Sequence, residues 1–339
     1  MEFSVDIAEA MIAAVNIIFS ITSSLGNILI LIALRKVTSL HPPTKLLFQC
    51  LAITDLGVGL TSQPLFATVL LIDYRNVNWS VSVIFFNYLS IIFCGVSLLI
   101  STALSVDRLL ALLLGLRYRH VVTLKRVRIA VACCWLTVLV TAFNIFLTGG
   151  KIFPRIVMIL IILSVITISL FCYTKIVLKL RQHQTSVQEN VQQGMANAGG
   201  VPINLKQYKR TVVSIALVQI SLVACYAPFL IFLIGHLDYS IPNYVFLLVS
   251  TTFVYLNSSL NPFLYCWRIK EVRQAVLGTV KRFCSCPSWL TTSLVDIRKH
   301  INIEIIWTLN NPLVNTGSPK TTAGTTKMFD FIVIFIVKR

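Results

Sequence analysis

Long apolar runs separated by short polar segments fill the first 270 residues of the chain. About 20 mostly apolar residues in a helix suffice to cross the hydrocarbon core of a bilayer. The runs are rich in Leu, Ile and Val and show no strict alternation of apolar and polar positions, which favours helices over the strands of a membrane barrel. The pattern predicts seven membrane spans, at residues 11–34, 46–72, 81–106, 127–148, 154–178, 211–235 and 241–266.

The composition of the chain favours an all-α membrane protein, a bundle of seven transmembrane helices. Of its 339 residues, 56% are hydrophobic and only 12% are charged, and the mean hydropathy is +0.83. Soluble domains carry about 25% charged residues, so an ordinary soluble enzyme is excluded. The net charge of +17 therefore indicates basic loops at a membrane surface rather than a nucleic-acid partner.

The distribution of the cations predicts which side of the membrane each loop faces. The segments around the ends of spans one, three, five and seven hold nineteen Lys and Arg residues, whereas the opposite segments hold three. Because basic loops stay in the cytoplasm, we expect a plasma-membrane protein with its N-terminus (1–10) outside, a transmembrane domain at 11–266 and a cytoplasmic tail at 284–339. Asn78 begins a glycosylation sequon in a predicted outer loop.

The residues that follow span seven predict a helix on the inner membrane surface. Apolar residues recur at helical spacing in the segment 267–283, with Lys and Arg between them. This pattern is typical of an amphipathic helix that lies at the membrane interface. Cys284 and Cys286 come directly after it and are predicted palmitoylation sites.

Several polar residues lie inside the predicted spans, where each one needs a structural or functional reason. A lone Asn or Ser there most often makes a hydrogen bond between helices. Asp55 in span two is different, because a carboxylate in hydrocarbon must either be protonated or hold a cation. Neutral oxygen donors at a comparable depth would complete a cage for a small hard cation, most naturally Na⁺. These donors are Ser97, Asn257, Ser258 and Asn261.

Two further features each admit two interpretations. Asp107 and Arg108, at the inner end of span three, are either boundary residues that reach toward water or a functional charge pair. Pro228 and Pro262 interrupt spans six and seven and kink them. Such kinks are common structural features of membrane helices and are also natural hinges.

Together these residues resemble those of the rhodopsin-family (class A) G-protein-coupled receptors. The resemblance covers about residues 15–285 and rests on six signatures in the family's order. They are Gly26-Asn27, LHPPTKLLFQCLAITDL at 40–56, STALSVDRLLALLLGLRYRHVVT at 101–123 with Trp135 in span four, Tyr173, Pro228, and Asn261-Pro262-Phe263-Leu264-Tyr265. The resemblance implies a receptor, not an enzyme, that passes a signal from an extracellular ligand to a heterotrimeric G protein.

The resemblance also implies roles for individual positions. Five residues match the family's allosteric sodium pocket: Asp55, Ser97, Asn257, Ser258 and Asn261. Another five match the surface that couples to the G protein: Asp107, Arg108, Leu116, Tyr173 and Tyr265. The activation switch corresponds to Tyr226, Pro228, Asn261 and Pro262. A receptor kinase and arrestin are further expected partners, because Ser and Thr residues are frequent in the tail.

Departures from the family's pattern lead to a hypothesis of raised basal activity. The aromatic residue that usually follows Asp-Arg is Leu109, and Tyr226 stands where the family has its switch tryptophan. The start of span six usually offers an acid that pairs with the arginine, but the segment 207–210 holds none and has two cations. Without this ion pair the resting state is less stable, so we expect the receptor to signal in the absence of agonist.

The outer half of the bundle resembles the melanocortin, lysophospholipid, cannabinoid and adenosine branch, because the predicted second outer loop is short and has no cysteine. Ser90 replaces the aspartate of amine receptors, and Tyr255 replaces the retinal-bearing lysine of opsins. An uncharged or lipid-like small molecule, or a peptide, is therefore the expected agonist. The predicted pocket residues are Asn87, Ser90, Cys94, Phe229, Phe232 and Tyr255. The alternative function is a multi-span transporter of a small solute.

Overall fold

The computed structural model describes residues 2–71, 81–148, 152–192, 205–235 and 244–283. Within these ranges the chain forms helices and no strand. Spans one to seven are Glu2–Lys36, Pro42–Gly57 continued by Val58–Ser62 and Gln63–Leu71, Val81–Leu114, Leu124–Thr148, Ile152–Gln192, Leu205–Gly235 and Tyr244–Arg268. Two short turns, Gly115–Arg117 and Tyr118–Val121, follow span three, and the helix Lys270–Phe283 follows span seven.

Each predicted span corresponds to a helix, and several helices are longer than predicted. Residues 2–10, predicted as an extracellular N-terminus, are helical and continuous with span one. Among the described residues, five helices are long and apolar enough to cross a membrane: Ile7–Lys36, Asn87–Val121, Leu124–Thr148, Ile152–Gln182 and Leu217–Gly235. Spans two and seven, which complete the bundle of seven, carry the polar residues around Asp55 and Asn261 that lower their mean hydropathy.

The spans form a closed ring of packed helices. Span one packs against spans two and seven, span three against spans two, four and five, and span six against spans five and seven. Large apolar side chains such as Ile17, Phe143 and Leu160 are exposed on the outside of this ring. A soluble protein would bury most of them, so the outer surface fits contact with lipid.

Span two contains one turn of π-helix, Val58–Ser62, which begins three residues after Asp55 on the predicted extracellular side of it. The backbone N–H of Gln63 bonds to the Val58 carbonyl, five residues earlier, instead of four. Ser20 of span one donates a hydrogen bond to the Gly59 carbonyl over 2.6 Å. The neighbouring helix therefore satisfies a carbonyl in the turn where the regular hydrogen-bond ladder changes.

Gly26 allows span one to approach the kink in span seven closely. A Cβ atom at Gly26 would lie 2.8 Å from Cγ and 2.9 Å from Cβ of Pro262, which is too close for carbon atoms. We expect Gly26→Ala to cost about 1–3 kcal/mol of stability and to lower the melting temperature of the purified protein, because one of the helices has to move. Gly235→Ala is the control, since a Cβ there meets no atom within 4 Å. Equal melting temperatures for the two variants would contradict this packing.

The helix Lys270–Phe283 occupies most of the segment predicted to be amphipathic. Residues up to Arg273 belong to one compact unit, and residues from Gln274 belong to a second. Within the helix, the Thr279 hydroxyl donates to the Ala275 carbonyl over 2.7 Å.

Candidate functional site

Asp55 is fully buried where spans two, three and seven meet. The Ser97 hydroxyl of span three donates to Oδ1 of Asp55 over 2.6 Å, and the side-chain amide of Asn261 in span seven donates to Oδ2 over 2.7 Å. Both donors are neutral, so they stabilise the carboxylate without cancelling its charge. The structure therefore brings together three residues that the sequence predicted to lie at one depth.

Two further predicted members of the cluster, Asn257 and Ser258, are also buried. The Ser258 carbonyl accepts a hydrogen bond from the side-chain amide of Asn27 over 3.3 Å, which ties span seven to span one. The Asn257 amide nitrogen is buried and has no hydrogen-bond partner among the residues that the structure describes. Carboxylate, hydroxyl and amide oxygens are the ligands of hard cations, so this group of side chains fits Na⁺ chemically.

Asp107 forms the centre of a second buried polar cluster, at the inner end of span three. The Tyr118 hydroxyl donates to Oδ1 over 2.5 Å, and the Thr44 hydroxyl donates to Oδ2 over 3.0 Å. Nη2 of Arg108 lies 3.3 Å from the same Oδ2. The carboxylate thus connects span two, span three and the short helix Tyr118–Val121. A boundary residue that only reaches toward water would not make these buried contacts.

Thr44 and Tyr118 are functional candidates that the sequence analysis did not single out. Their hydroxyls lie 3.0 Å apart, and the Tyr118 ring packs against the ring of His41 with centroids 5.1 Å apart. Tyr118 follows Asp107 by eleven residues, which on one continuous helix would place the two residues about 16 Å apart along the axis. A turn that reverses the chain after span three is needed to bring its side chain back.

Arg108 lies among the other residues predicted to couple to a G protein. Its side chain is 28% exposed, and its guanidinium carbon lies 5.7 Å from the centre of the Phe48 ring. Phe48 in turn packs edge-on against Tyr265, with ring centroids 4.9 Å apart. Tyr173 of span five lines the same small cavity as Arg108. Residues of spans two, three, five and seven therefore meet around this arginine.

Leu116 is exposed to solvent, with 96% of its surface accessible. It lies in the turn Gly115–Arg117, whose glycine has a φ of +50°. That conformation favours glycine, and it ends the helix of span three so that the next side chain points outward. An apolar side chain this exposed is a candidate contact for a partner protein.

The residues predicted as an activation switch connect the middle of the bundle. The hydroxyl of the buried Tyr226 donates to the backbone carbonyl of Cys94 over 3.2 Å and so links span six to span three. Pro228 and Pro262 lie inside the helices of spans six and seven. Each removes a backbone donor from its helix, which leaves a bend with one hydrogen bond fewer.

The predicted ligand pocket is only partly assembled. The hydroxyls of Ser90 and Tyr255 are hydrogen-bonded over 2.9 Å, and Tyr255 packs edge-on against Phe66 at 5.5 Å. Phe229 and Phe232 stack with ring centroids 6.4 Å apart, and Cys94 is buried in the adjoining core. Asn87 is exposed at the outer end of span three. The predictions for Asn78, Cys284 and Cys286 concern residues outside the described ranges.

Comparisons with known proteins agree with this geometry. A family profile described as "7 transmembrane receptor (rhodopsin family)" matches residues 26–154 and 151–265. Melanocortin receptor 4 of Danio rerio is 26% identical over 277 residues, which cover 78% of this chain and 81% of the relative. Trace amine-associated receptor 9 of Homo sapiens is 24% identical over 306 residues, covering 82% and 87%. Adenosine receptor A3 of Ovis aries is 31% identical over 122 residues, covering 36% and 38%.

Proposed function

Because the chain belongs to the rhodopsin family of seven-transmembrane receptors, we propose that it activates a heterotrimeric G protein in response to an extracellular ligand. The observation that carries this proposal is Arg108, whose charge is held by the buried Asp107 at the inner end of the bundle. The repeats or paired broken helices expected of a transporter are not evident in the sequence, and the matched relatives are receptors.

The contacts around Arg108 suggest how its exposure can change. In the described conformation, the arginine contacts Asp107 and the Phe48 ring and is only partly accessible. An outward movement of span six, hinged at Pro228, would open the cavity that Arg108 shares with span five. Arg108 and the exposed Leu116 would then both be available to a G protein.

Nucleotide exchange on purified G proteins tests this proposal. The full-length receptor in lipid nanodiscs is expected to accelerate GTP binding to at least one Gα subtype in a panel, even without agonist. An agonist-free exchange rate equal to that of empty nanodiscs for every subtype would contradict the raised basal activity, and an equal rate with every compound of an agonist screen would contradict coupling. Epitope tags at the two termini, stained in intact and permeabilised cells, test the proposed plasma-membrane location with an extracellular N-terminus.

We further propose that the Asp55 cluster binds Na⁺ and that the ion stabilises the described conformation. The bound ion would supply the positive charge that the neutral partners of Asp55 do not provide. Ser97 and Asn261 orient the two carboxylate oxygens, so both residues would be needed to hold the ion between spans two, three and seven. Opening the bundle would separate these ligands and weaken binding.

Asp55→Asn is expected to remove the stabilising effect of Na⁺. At ten times its dissociation constant, a bound ion adds about 1.4 kcal/mol, which raises the melting temperature of a chain of this size by about 2 °C. The measurement compares NaCl with KCl at constant chloride. Glu9→Gln is the matched control, because Glu9 is another buried carboxyl of the bundle. If Asp55→Asn still responds to Na⁺ as the unmodified protein does, the ion binds elsewhere.

The outer half of the bundle supports an uncharged or lipid-like agonist. The hydroxyls of Ser90 and Tyr255 bond to each other, and aromatic rings lie nearby, so the residues predicted to line the pocket offer no carboxylate to an ammonium group. The relatives carry the names of three different ligand classes, and these names do not decide among them. A screen of neutral lipids, peptides and amines in the exchange assay tests the proposal, and activation by amines alone would contradict it.

A further inference from the structure

A small cavity lies between the inner halves of spans three, five and six. Its volume is about 20 Å³, and the residues around it include Arg108, Tyr173 and Gln219. A cavity of about 10–15 Å³ already holds one water molecule, so this one has room for a single water or a single monatomic ion. Gln219 of span six is only 6% exposed, and no motif in the sequence pointed to it.

The unpaired polar atoms of the residues that line this cavity are donors. Nε2 of Gln219 and Nε of Arg108 are buried and have no hydrogen-bond acceptor in the described part of the chain. Nη2 of Arg108 is likewise buried without a hydrogen-bond acceptor among the described residues. The N–H groups of Nε and Nη2 point side by side, and the Gln219 amide adds one donor, because its two N–H groups diverge and only one can face a single ion. A water molecule has two lone pairs and cannot accept from three donors, whereas a halide ion can.

The carboxylate next to Arg108 is already engaged by other donors. Asp107 accepts hydrogen bonds from Tyr118 and Thr44 and faces Nη2 of Arg108. Ser105 and Ser169 also line the cavity, and their long hydrogen bonds of 3.2 and 3.4 Å leave their hydroxyls able to turn and donate.

We infer that this cavity binds one small inorganic anion, chloride under physiological conditions. The ion accepts from Arg108 on span three and from Gln219 on span six and so bridges the two helices. It does what a carboxylate on span six would do and holds that span inward in the described conformation. The regulatory part of this inference rests on the proposed coupling to a G protein, whereas the binding itself does not.

Thermal stability of the full-length protein in nanodiscs tests anion binding. NaCl or NaBr should raise the melting temperature relative to sodium gluconate at the same Na⁺ concentration and ionic strength. Gln219→Leu, which keeps the size of the side chain but removes its donors, should weaken the apparent chloride affinity about tenfold. Ser221→Ala, on the same span, is the control and should keep the full response, because the Ser221 hydroxyl bonds to carbonyls of its own helix.

Two results would overturn the inference. One is equal stability in chloride and gluconate, and the other is an unchanged chloride response in Gln219→Leu. If that variant does not fold, Gln219→Glu replaces it, because its carboxylate supplies the negative charge itself and should make stability independent of chloride. Chloride-dependent stability without any nucleotide exchange would support the binding site while contradicting the proposed function. Chloride should also slow basal exchange, and an equal exchange rate in gluconate would contradict the regulatory part.

Discussion

Arg108→Ala is expected to reduce receptor-catalysed nucleotide exchange to the rate of the G protein alone. The arginine contacts Asp107 and the Phe48 ring and lines the cavity shared with span five, so its removal takes away a positive charge at the point where spans two, three and five meet. A charge-assisted hydrogen bond to a partner contributes about 1.5–3 kcal/mol, so losing one or two lowers the rate at least tenfold. GTP binding by purified Gα reports the rate.

Arg128→Ala controls for the loss of one positive charge, because Arg128 is exposed at the start of span four. Arg108→Lys adds a second comparison, since lysine keeps the charge but not the forked geometry of the guanidinium. We expect Arg128→Ala to retain most of the exchange activity and Arg108→Lys to lose most of it. Undiminished exchange by Arg108→Ala would show that the coupling role of this residue is wrong.

Asp107→Asn is expected to raise basal exchange about tenfold or more. The change keeps the shape of the side chain but removes the charge that holds Arg108 and accepts hydrogen bonds from Thr44 and Tyr118. About 1.4 kcal/mol lost from the resting conformation multiplies the active population tenfold, and charge-assisted contacts of this kind contribute at least that much. The measurement is agonist-free GTP binding at equal receptor concentration.

Three other variants separate the charge of Asp107 from its hydrogen bonds. Tyr118→Phe and Thr44→Val each remove one donor and should raise basal exchange by less than Asp107→Asn does. Glu271→Gln removes an exposed acid and should leave the rate unchanged. A basal rate in Asp107→Asn no higher than that of Glu271→Gln would mean that the cluster does not restrain the receptor.

The membrane explains why the sequence was informative about the spans and about Asp55. Hydrocarbon forces every backbone group to bond within its helix and makes each buried charge costly, so both appear directly as patterns along the chain. Asp55, Ser97 and Asn261 were predicted to meet because helices of similar length place polar residues at similar depths. Their contacts of 2.6 and 2.7 Å confirm that depth was a sufficient guide.

The sequence was less informative where water replaces lipid. Span five was predicted to end at residue 178 because apolar residues end there, whereas the helix continues to Gln192. Helical hydrogen bonds continue in water as long as residues favour them, so hydropathy marks the membrane boundary and not the helix end. The contact between Tyr118 and Asp107 depends on the path of a loop, which no periodicity records.

The π-helical turn of span two changes how positions in this receptor should be matched to those of its relatives. One additional residue in a turn rotates all later side chains by about 100° around the helix axis. Counting outward from Asp55 on a regular helix therefore assigns Leu65 and Phe66 to the wrong sectors. When positions are transferred from a relative without such a turn, each residue of span two beyond Gly59 is therefore matched to a neighbour that faces another direction.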